Sequence, residues 1–479
     1  MWTGNRTHFV LLLCAVTVLL YSCTPGDFIR PNPPPSLDRP PEKQNDAESI
    51  ADSTVLDFGT VFDSGYEADD DEEYGYRPPP GESGTITHDG KYKVSDKKVR
   101  VAILRSIGNA TVYSVGTVYL NTGSKPFRGR IAVERTAGKT SITSTTGRFE
   151  VALPCTLKSE NDYNFMDIEN TTYRGSLIII PEGDNRITLV NMLDVEEYLR
   201  GVLPLELGKC SMEEVEALKA QAVAARTYTY RRMAERRSES FDLVNTVADQ
   251  VYGGASVEYR ESDAAVKATA DKILMYGDSI IYAYYHSTCG GTTATIDEVW
   301  NKPHQPYLVS ISDKDKNDIA YCSGSTYFTW NEEWQWKSFS TIIQQNLRKM
   351  YPDKRFDGPV TNVSVKDRFS CGRIRTLVIT AKGWIHEARG DEIRFILRRA
   401  VRGNPILRSA SFSVDDHGKA IIRLKGRGYG HGVGLCQTGA IGRARQGQQY
   451  HEILGAYYPG TTLITVVKKE EGIHDEIFR

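Results

Sequence analysis

The sequence has almost no net charge, no closely spaced pair of cysteines and no apolar run long enough to cross a membrane. Its 479 residues include 59 basic and 61 acidic side chains, which leaves a net charge of −2. A chain so close to neutrality has no overall field that attracts nucleic acid or an anionic membrane surface. The one marked apolar run, Phe9–Leu20, is shorter than a spanning helix requires. We therefore expect no nucleic-acid partner.

The cysteines are few and widely separated. No CxxC pair and no Cys/His cluster occurs among them, so their spacing indicates no zinc site, and we predict no metal and no cofactor. Disulfides are permitted in an exported protein, but the pairing stays open. The cysteines that follow Cys23 are Cys155, Cys210, Cys289, Cys322, Cys371 and Cys436.

The N-terminus predicts export. Arg6 precedes the apolar run, and the run is followed by Tyr21, Ser22 and Cys23. This ending resembles the lipobox of bacterial lipoproteins, so residues 1–22 are interpreted as a signal peptide that is removed to leave a lipidated Cys23. The alternative is an ordinary signal peptide with an incidental cysteine. We predict a location in the bacterial cell envelope, anchored to a membrane through Cys23.

Composition divides the rest of the chain. Residues 23–94 are rich in proline and acidic side chains, which predicts a disordered linker. Residues 95–190 contain short runs of β-branched residues bounded by Gly, Asn or Pro, which predicts a β-rich module. Helical patterns and further strands follow over 191–465, before a tail at 466–479. The expected fold class is α+β, with the β-rich module and the helical core forming one intertwined globular unit.

One carboxylate stands out between two predicted helix starts. Asp194 with Glu197, and Ser211 with Glu214, have the spacing of capping boxes. Glu206 lies between them in an apolar turn. Such a residue is either an ordinary solvent-facing side chain or a functional acid, and spacing alone leaves both interpretations open.

A helical pattern follows Ser211. Lys219 and Arg226 lie seven residues apart on the shoulder of its apolar stripe, so both are expected to lean towards one end of a groove. A second helix is expected over 260–271, and an aromatic helical segment over 327–350. The predicted stripe consists of Val215, Leu218, Ala222, Ala225 and Thr229.

Two downstream loops carry polar residues that could bind a substrate or take part in catalysis. The glycine-dense loop 426–437 lacks the Gly-Lys-Ser/Thr of a phosphate-binding loop, so nucleotide binding is not indicated. Its His431 and Gln437 can supply hydrogen bonds to a polar substrate such as a sugar, or the loop can be a tight turn against the core. His286 with Cys289 leaves a thiol hydrolase open as an alternative.

Several motifs in order resemble the SpoIID/LytB family of bacterial cell-wall proteins. The resemblance covers roughly residues 99–463. The segments that carry it are VEEYLRGVLPLE (195–206), ALKAQAVAARTY (217–228), DQVYGG (249–254), HSTCGG (286–291), EVW (298–300) with PYL (306–308), and GRGYGHGVGLCQ (426–437).

The resemblance implies that the substrate is peptidoglycan. Sporulation members of this family are lytic transglycosylases that cut glycan strands stripped of stem peptides and leave 1,6-anhydro-muramyl ends. The family's catalytic glutamate maps onto Glu206. The alternative implied by the LytB branch is a non-catalytic protein that binds the cell wall and enhances an N-acetylmuramoyl-L-alanine amidase. The residues expected to line the substrate groove are Lys219, Gln221, Arg226, Gln250, Tyr252, Ser287, His431 and Gln437.

The chain departs from the family pattern in two places. Some sporulation members bind zinc through one His and two Cys ahead of the DQVYGG motif, but residues 241–250 contain neither residue type. Cys289 and Cys436 stand where the family often has Ser, which argues against an essential thiol nucleophile. The three loops 249–254, 286–291 and 426–437 are expected to converge on Glu206.

Overall fold

A twisted antiparallel sheet forms the N-terminal part of the protein. The computed structural model describes residues 84–86, 91–121, 126–161, 165–417 and 420–468. The strands up to the first helix are β1 (Gly84–Ile86), β2 (Lys91–Val94), β3 (Lys98–Ile107), β4 (Asn109–Leu120), β5 (Pro126–Thr136), β6 (Lys139–Ser144), β7 (Gly147–Val151), β8 (Cys155–Ser159), β9 (Met166–Ile168), β10 (Thr171–Tyr173), β11 (Ser176–Glu182) and β12 (Arg186–Asp194).

Alternation of buried and exposed residues explains why these segments are strands. Along β4, Ala110, Val112 and Ser114 are buried while the residues between them are exposed, because successive side chains of a strand point to opposite faces. Strands β3 to β12 form one large sheet in which β3 pairs with β12, the strand that leads directly into the first helix. The predicted β-rich module is present.

The central elements follow the sheet without a break. They are α1 (Val195–Glu206), α2 (Val215–Glu235), β13 (Leu243–Val244), α3 (Arg260–Ala268), β14 (Lys272–Tyr276), β15 (Ser279–Ile280), β16 (Tyr285–His286) and α4 (Ile296–Val299), with 3₁₀ turns at Met212–Glu214 and Gly254–Val257.

Helix α2 is buried on two faces rather than along the single predicted stripe. One face, with Leu218 and Ala222, belongs to the hydrophobic cluster beneath the large sheet. The other, with Ala220 and Val223, belongs to a second cluster beside the C-terminal helices. Five buried alanines let neighbouring helices approach α2 from both sides, so α2 is the central helix of the fold.

Residues Thr329–Arg427, hereafter the insert, form a unit with a hydrophobic cluster of their own. Its helices pack on two three-stranded sheets, and the cluster runs from Trp330 to Leu424. A separate hydrophobic cluster in this region is not predicted from the sequence. The elements are β17 (Thr329–Gln335), α5 (Trp336–Met350), β18 (Val360–Arg368), β19 (Ile374–Ala381), β20 (Trp384–Arg389), α6 (Glu392–Ile396), β21 (Phe412–His417) and β22 (Ile421–Arg427).

The C-terminal elements pack against earlier parts of the chain. They are β23 (Leu435–Cys436), α7 (Gln437–Arg445), α8 (Tyr450–Tyr457) and β24 (Thr462–Lys468). Strand β24 pairs with β14 and, in parallel, with β2. Two expected boundaries therefore move: the linker predicted to reach residue 94 gives way to strands at 84–86 and 91–94, and the tail predicted from residue 466 begins inside a strand.

The expected signal peptide, Cys23 and most of the expected linker lie outside the described residues. No helix of the described part is both long enough and apolar enough to cross a membrane. The mixture of helices with mainly antiparallel strands confirms the α+β fold class.

Candidate active site

Glu206 is the last residue of α1, so it extends from a helix end rather than from the expected turn. The helix begins at the predicted cap, where the Asp194 carboxylate accepts a hydrogen bond from the backbone N–H of Glu196 at 2.8 Å. At its other end, Leu207 N–H still bonds to the Leu203 carbonyl at 3.0 Å. The C-terminal end of a helix carries partial negative charge, which disfavours an ionised carboxylate beside it.

Three groups contact the Glu206 carboxyl. The backbone N–H of Val251 donates to Oε1 at 2.9 Å, and Nε2 of Gln437 lies 3.5 Å from Oε2. The Tyr285 hydroxyl provides a further hydrogen bond. Loops 249–254 and 426–437 thus meet at this carboxyl, together with the residue that immediately precedes loop 286–291. Among the described residues, none of the groups that contact it is a second carboxylate.

The environment of Glu206 favours its protonated form. Burial raises the pKa of this carboxyl from 4.5 to about 7, although the three hydrogen bonds oppose the rise. The residue as a whole keeps partial solvent exposure. Near neutral pH the Glu206 carboxyl is therefore close to the midpoint of its titration.

Gln250 positions the Tyr285 hydroxyl through a hydrogen bond and does not itself contact Glu206. Its side chain is fully buried, and its Nε2 donates to the Tyr285 hydroxyl at 3.0 Å. Its Oε1 accepts from the hydroxyls of Thr229 at 2.9 Å and Tyr198 at 3.3 Å. Gln250 was expected to line the groove, but it is a positioning residue that reaches Glu206 through Tyr285.

His431 joins two of the loops through the backbone. Its Nδ1 accepts from the N–H of Val433 at 3.1 Å, so its Nε2 carries the proton and donates to the carbonyl of Tyr285 at 3.0 Å. Burial lowers the pKa of His431 to about 4, which keeps the ring neutral. Its ring also packs on Trp300, with centroids 4.8 Å apart.

Two residues expected to line the groove are buried structural residues instead. The Arg226 side chain is fully buried and forms a two-pronged ion pair with Glu196, with both N–O distances at 2.7 Å. The Tyr252 hydroxyl donates to Asn191 at 2.9 Å, and its ring lies so close to Gly201 that a Cβ there would stand 2.5 Å away. Arg226 therefore stabilises the first turn of α1, and Tyr252 packs against its middle.

The remaining predicted residues have mixed positions. Lys219 pairs with Glu216 at 2.5 Å, one helical turn away, rather than with a residue of the site. Gln221 is fully buried, and its amide has no hydrogen-bond partner within the described ranges. Ser287 is partly exposed beside the loop, with its hydroxyl 3.3 Å from that of Thr288. Gln437 alone among the eight contacts the Glu206 carboxyl directly.

A cysteine nucleophile does not fit the geometry. The Cys289 thiol is buried and points at the Asp313 carboxylate, 3.3 Å away. The His286 ring instead places Nδ1 3.2 Å from the Val433 carbonyl. No hydrogen bond joins that thiol to a histidine in the part of the chain that the structure describes.

The α1–α2 region and the insert each match a known sequence family. Residues 183–276, which include Glu206, match the profile described as stage II sporulation protein, and residues 320–434 match a domain of unknown function (DUF8618). Stage II sporulation protein D of Bacillus subtilis is 30% identical over 308 residues, which cover 61% of this chain and 80% of the relative. The chain belongs to the stage II sporulation protein D family.

Two other proteins are similar in sequence to this chain. An uncharacterised protein of Brachyspira hyodysenteriae is 32% identical over 295 residues, covering 61% of this chain and 72% of that protein. The amidase enhancer of Bacillus subtilis is 30% identical over 294 residues, but the aligned part spans only 40% of its length. The family predicted from the ordered motifs is confirmed.

For this member of the stage II sporulation protein D family, sequence reasoning missed two groups that contact Glu206. Tyr285 precedes the HSTCGG motif by one residue, and this position beside a motif was the available signal. The Val251 contact comes from a backbone N–H, which no side-chain pattern reveals.

Proposed function

We propose that this protein is a lytic transglycosylase that cleaves the glycan strands of peptidoglycan and leaves 1,6-anhydro-muramyl ends, with Glu206 as general acid and base. The observation that carries the proposal is the pKa of about 7 of this carboxyl, on a residue that keeps partial solvent exposure. A carboxyl poised near neutral pH both donates and accepts a proton efficiently. Membership of the stage II sporulation protein D family supports the choice of substrate.

In the first step, Glu206 donates its proton to the glycosidic oxygen. The bond between that oxygen and the muramyl C1 breaks, and the leaving sugar departs as an alcohol while positive charge develops at C1. The C6 hydroxyl of the same muramyl residue then attacks C1, and its proton passes to the Glu206 carboxylate. Because the substrate provides the nucleophile, one carboxyl suffices where an ordinary glycosidase needs two.

The contacts of Glu206 suggest different roles for its two carboxyl oxygens in proton transfer. Oε1 is occupied by the Val251 N–H at 2.9 Å, whereas the Gln437 contact to Oε2 is longer, at 3.5 Å. We therefore place the proton to be transferred on Oε2, the oxygen with the longer of these two contacts. Gln437 stabilises that oxygen once the proton has left, since its amide is a hydrogen-bond donor.

The test is product analysis on purified glycan strands, either stripped of stem peptides or intact. We expect anhydro-muramyl ends by mass spectrometry from the wild type and from Glu213→Gln, an exposed glutamate seven residues on. Glu206→Gln should lose about 10²–10⁴-fold in rate, the usual contribution of a general acid–base. Wild-type rates from Glu206→Gln would remove this residue from the mechanism.

A second candidate function is enhancement of an N-acetylmuramoyl-L-alanine amidase by binding to the cell wall. It is favoured by the 30% identity to the Bacillus subtilis protein named amidase enhancer. This function does not require proton transfer. If wild type and Glu206→Gln stimulate an added amidase equally and neither yields anhydro ends, the enhancer function replaces the transglycosylase.

We also propose that the protein is exported and held at a bacterial membrane by lipid on Cys23, as the N-terminal sequence predicts. Cys23→Ala should move the protein from the membrane fraction to the soluble fraction of cells. An unchanged distribution would contradict the anchor.

A further inference from the structure

Four potential metal ligands from distant parts of the chain meet in the core. The sulfur atoms of Cys289, Cys322 and Cys436 and a carboxylate oxygen of Asp313, hereafter the cysteine cluster, all lie within 4.8 Å of one another. All four residues are buried, with at most 4% of any one exposed. Sequence spacing gave no indication of this site, since 147 residues separate the first and last of these cysteines.

The distances suit one tetrahedral ion. Cys289 Sγ lies 3.5 Å from Cys322 Sγ and 3.3 Å from the Asp313 Oδ2. Four ligands about 2.3 Å from a central zinc ion stand about 3.8 Å from one another, because zinc prefers tetrahedral geometry with sulfur ligands. A disulfide would join only two of the sulfurs, at about 2.05 Å, and would leave the third sulfur and the carboxylate without a role.

Backbone N–H groups surround the sulfurs as they surround thiolates. Cys436 Sγ accepts from the N–H of Cys289 at 3.1 Å and from that of Gly439 at 3.3 Å. Cys289 Sγ accepts from the N–H of Gly291 at 3.2 Å. Such donors stabilise the negative charge of metal-bound sulfur and fix ligand orientation.

Hydrogen bonds from side chains also hold the Asp313 carboxylate. Its Oδ1 accepts from Arg443 Nη2 at 3.0 Å, the Tyr457 hydroxyl lies 2.9 Å from both carboxylate oxygens, and Oδ2 lies 3.3 Å from the Cys289 sulfur. The arginine also offsets part of the negative charge that three thiolates and a carboxylate bring together. Gly439 is needed here, because a Cβ would stand 2.2 Å from Oδ2.

We propose that the cysteine cluster is a closed structural zinc site with three thiolate ligands and the Asp313 carboxylate. The three sulfurs bind the ion as thiolates, so any thiol proton still present is released, and no oxidation state changes. Cys289 lies on loop 286–291, and Cys436 immediately precedes Gln437. The ion thereby joins two loops next to Glu206, and its presence does not depend on which reaction the protein catalyses.

The first test measures metal in the full chain, purified in detergent after expression with added zinc. We expect one zinc per chain by plasma mass spectrometry in the wild type and in Cys210→Ser, a partly exposed cysteine outside the cluster. Cys322→Ser should fall to background. Cobalt loaded in place of zinc should give the intense visible absorption of a tetrahedral cobalt–thiolate centre in the wild type.

The second test uses wild type only, so it stands even if Cys322→Ser fails to fold. Unfolded, reduced protein is refolded with zinc or with a chelator, and the melting temperature and the number of alkylatable thiols are measured. We expect zinc to raise the melting temperature and to protect three thiols from alkylation. A metal-free protein with an unchanged melting temperature, or a Cys289–Cys322 disulfide found by peptide mapping, would overturn the proposal.

Discussion

Replacing Glu206 by glutamine should change how the stability of the protein depends on pH. Burial raises the pKa of this carboxyl to about 7 in the folded protein, whereas an unfolded chain leaves a glutamate near about 4.3. Between these values the folded state binds more protons than the unfolded state. The stability that the protonated group contributes is therefore fully present below the unfolded pKa and is lost as the pH rises through about 7.

The size of this loss follows from the shift. Each pKa unit is worth about 1.4 kcal/mol, so the shift corresponds to about 3–4 kcal/mol at alkaline pH. Partial solvent exposure of Glu206 reduces the figure through screening to about 1–2 kcal/mol. Glutamine has no proton to lose. Relative to wild type, Glu206→Gln should therefore gain about 1–2 kcal/mol in free energy of unfolding between about pH 4 and about pH 9.

Urea unfolding followed by tryptophan fluorescence at a series of pH values measures this difference, since the chain contains six tryptophans. Glu213→Gln is the matched control, because that glutamate is exposed and its replacement should shift the stability by a constant amount. A difference between Glu206→Gln and wild type that stays constant or shrinks as the pH rises would refute the reasoning.

Three other substitutions have defined outcomes. Tyr285→Phe removes a hydrogen bond that lowers the pKa of Glu206, so that pKa should rise and the alkaline limb of the rate–pH profile should move to higher pH; a limb that stays in place contradicts the contact. Gln250→Leu removes the acceptor of the buried Tyr198 hydroxyl and the amide that donates to Tyr285, so it should lower the free energy of unfolding by about 1–3 kcal/mol, as measured by urea unfolding, with a reduced kcat. Arg226→Ala leaves Glu196 without its buried partner and should lower that free energy by about 3–5 kcal/mol, while the kcat/KM of the folded fraction stays near wild type. A selective loss of kcat/KM in the stable fraction would place Arg226 in the substrate site.

Local signals in the sequence were sufficient for much of the fold. The capping box of Ser211 and Glu214 is present at the start of the segment that leads into α2. The β-branched runs that predict strands within residues 95–190 include 177–180, which lies within β11, and 111–120, which lies within β4. These elements could be predicted because caps and period-two alternation depend on neighbouring residues alone.

The aromatic stretch at the start of the insert was predicted incorrectly. Residues 327–350 were expected to be helical, but residues up to Gln335 form β17. Trp330, Glu332 and Trp334 are buried in alternation with exposed neighbours, which is the period of a strand. Only the part from Trp336 onward has the predicted helix.

The site residues show where sequence reasoning ends. Arg226 lies on the predicted helix, but its partner Glu196 is 30 residues away on another element, so its burial depends on how two helices pack. Tyr252 likewise depends on Asn191. Motifs carry both the groups that touch a substrate and the groups that hold them, and spacing along the chain does not separate the two kinds.

The insert has a further consequence because of where it joins the chain. Thr329 and Arg427 are paired neighbours across β17 and β22, so the polypeptide enters and leaves this unit at adjacent points. A unit attached in this way can be exchanged for a short turn without stretching the rest of the chain. Such an exchange would also remove Arg373 and Arg408, whose contacts with the backbone of Gly430 reach the loop that carries Gln437.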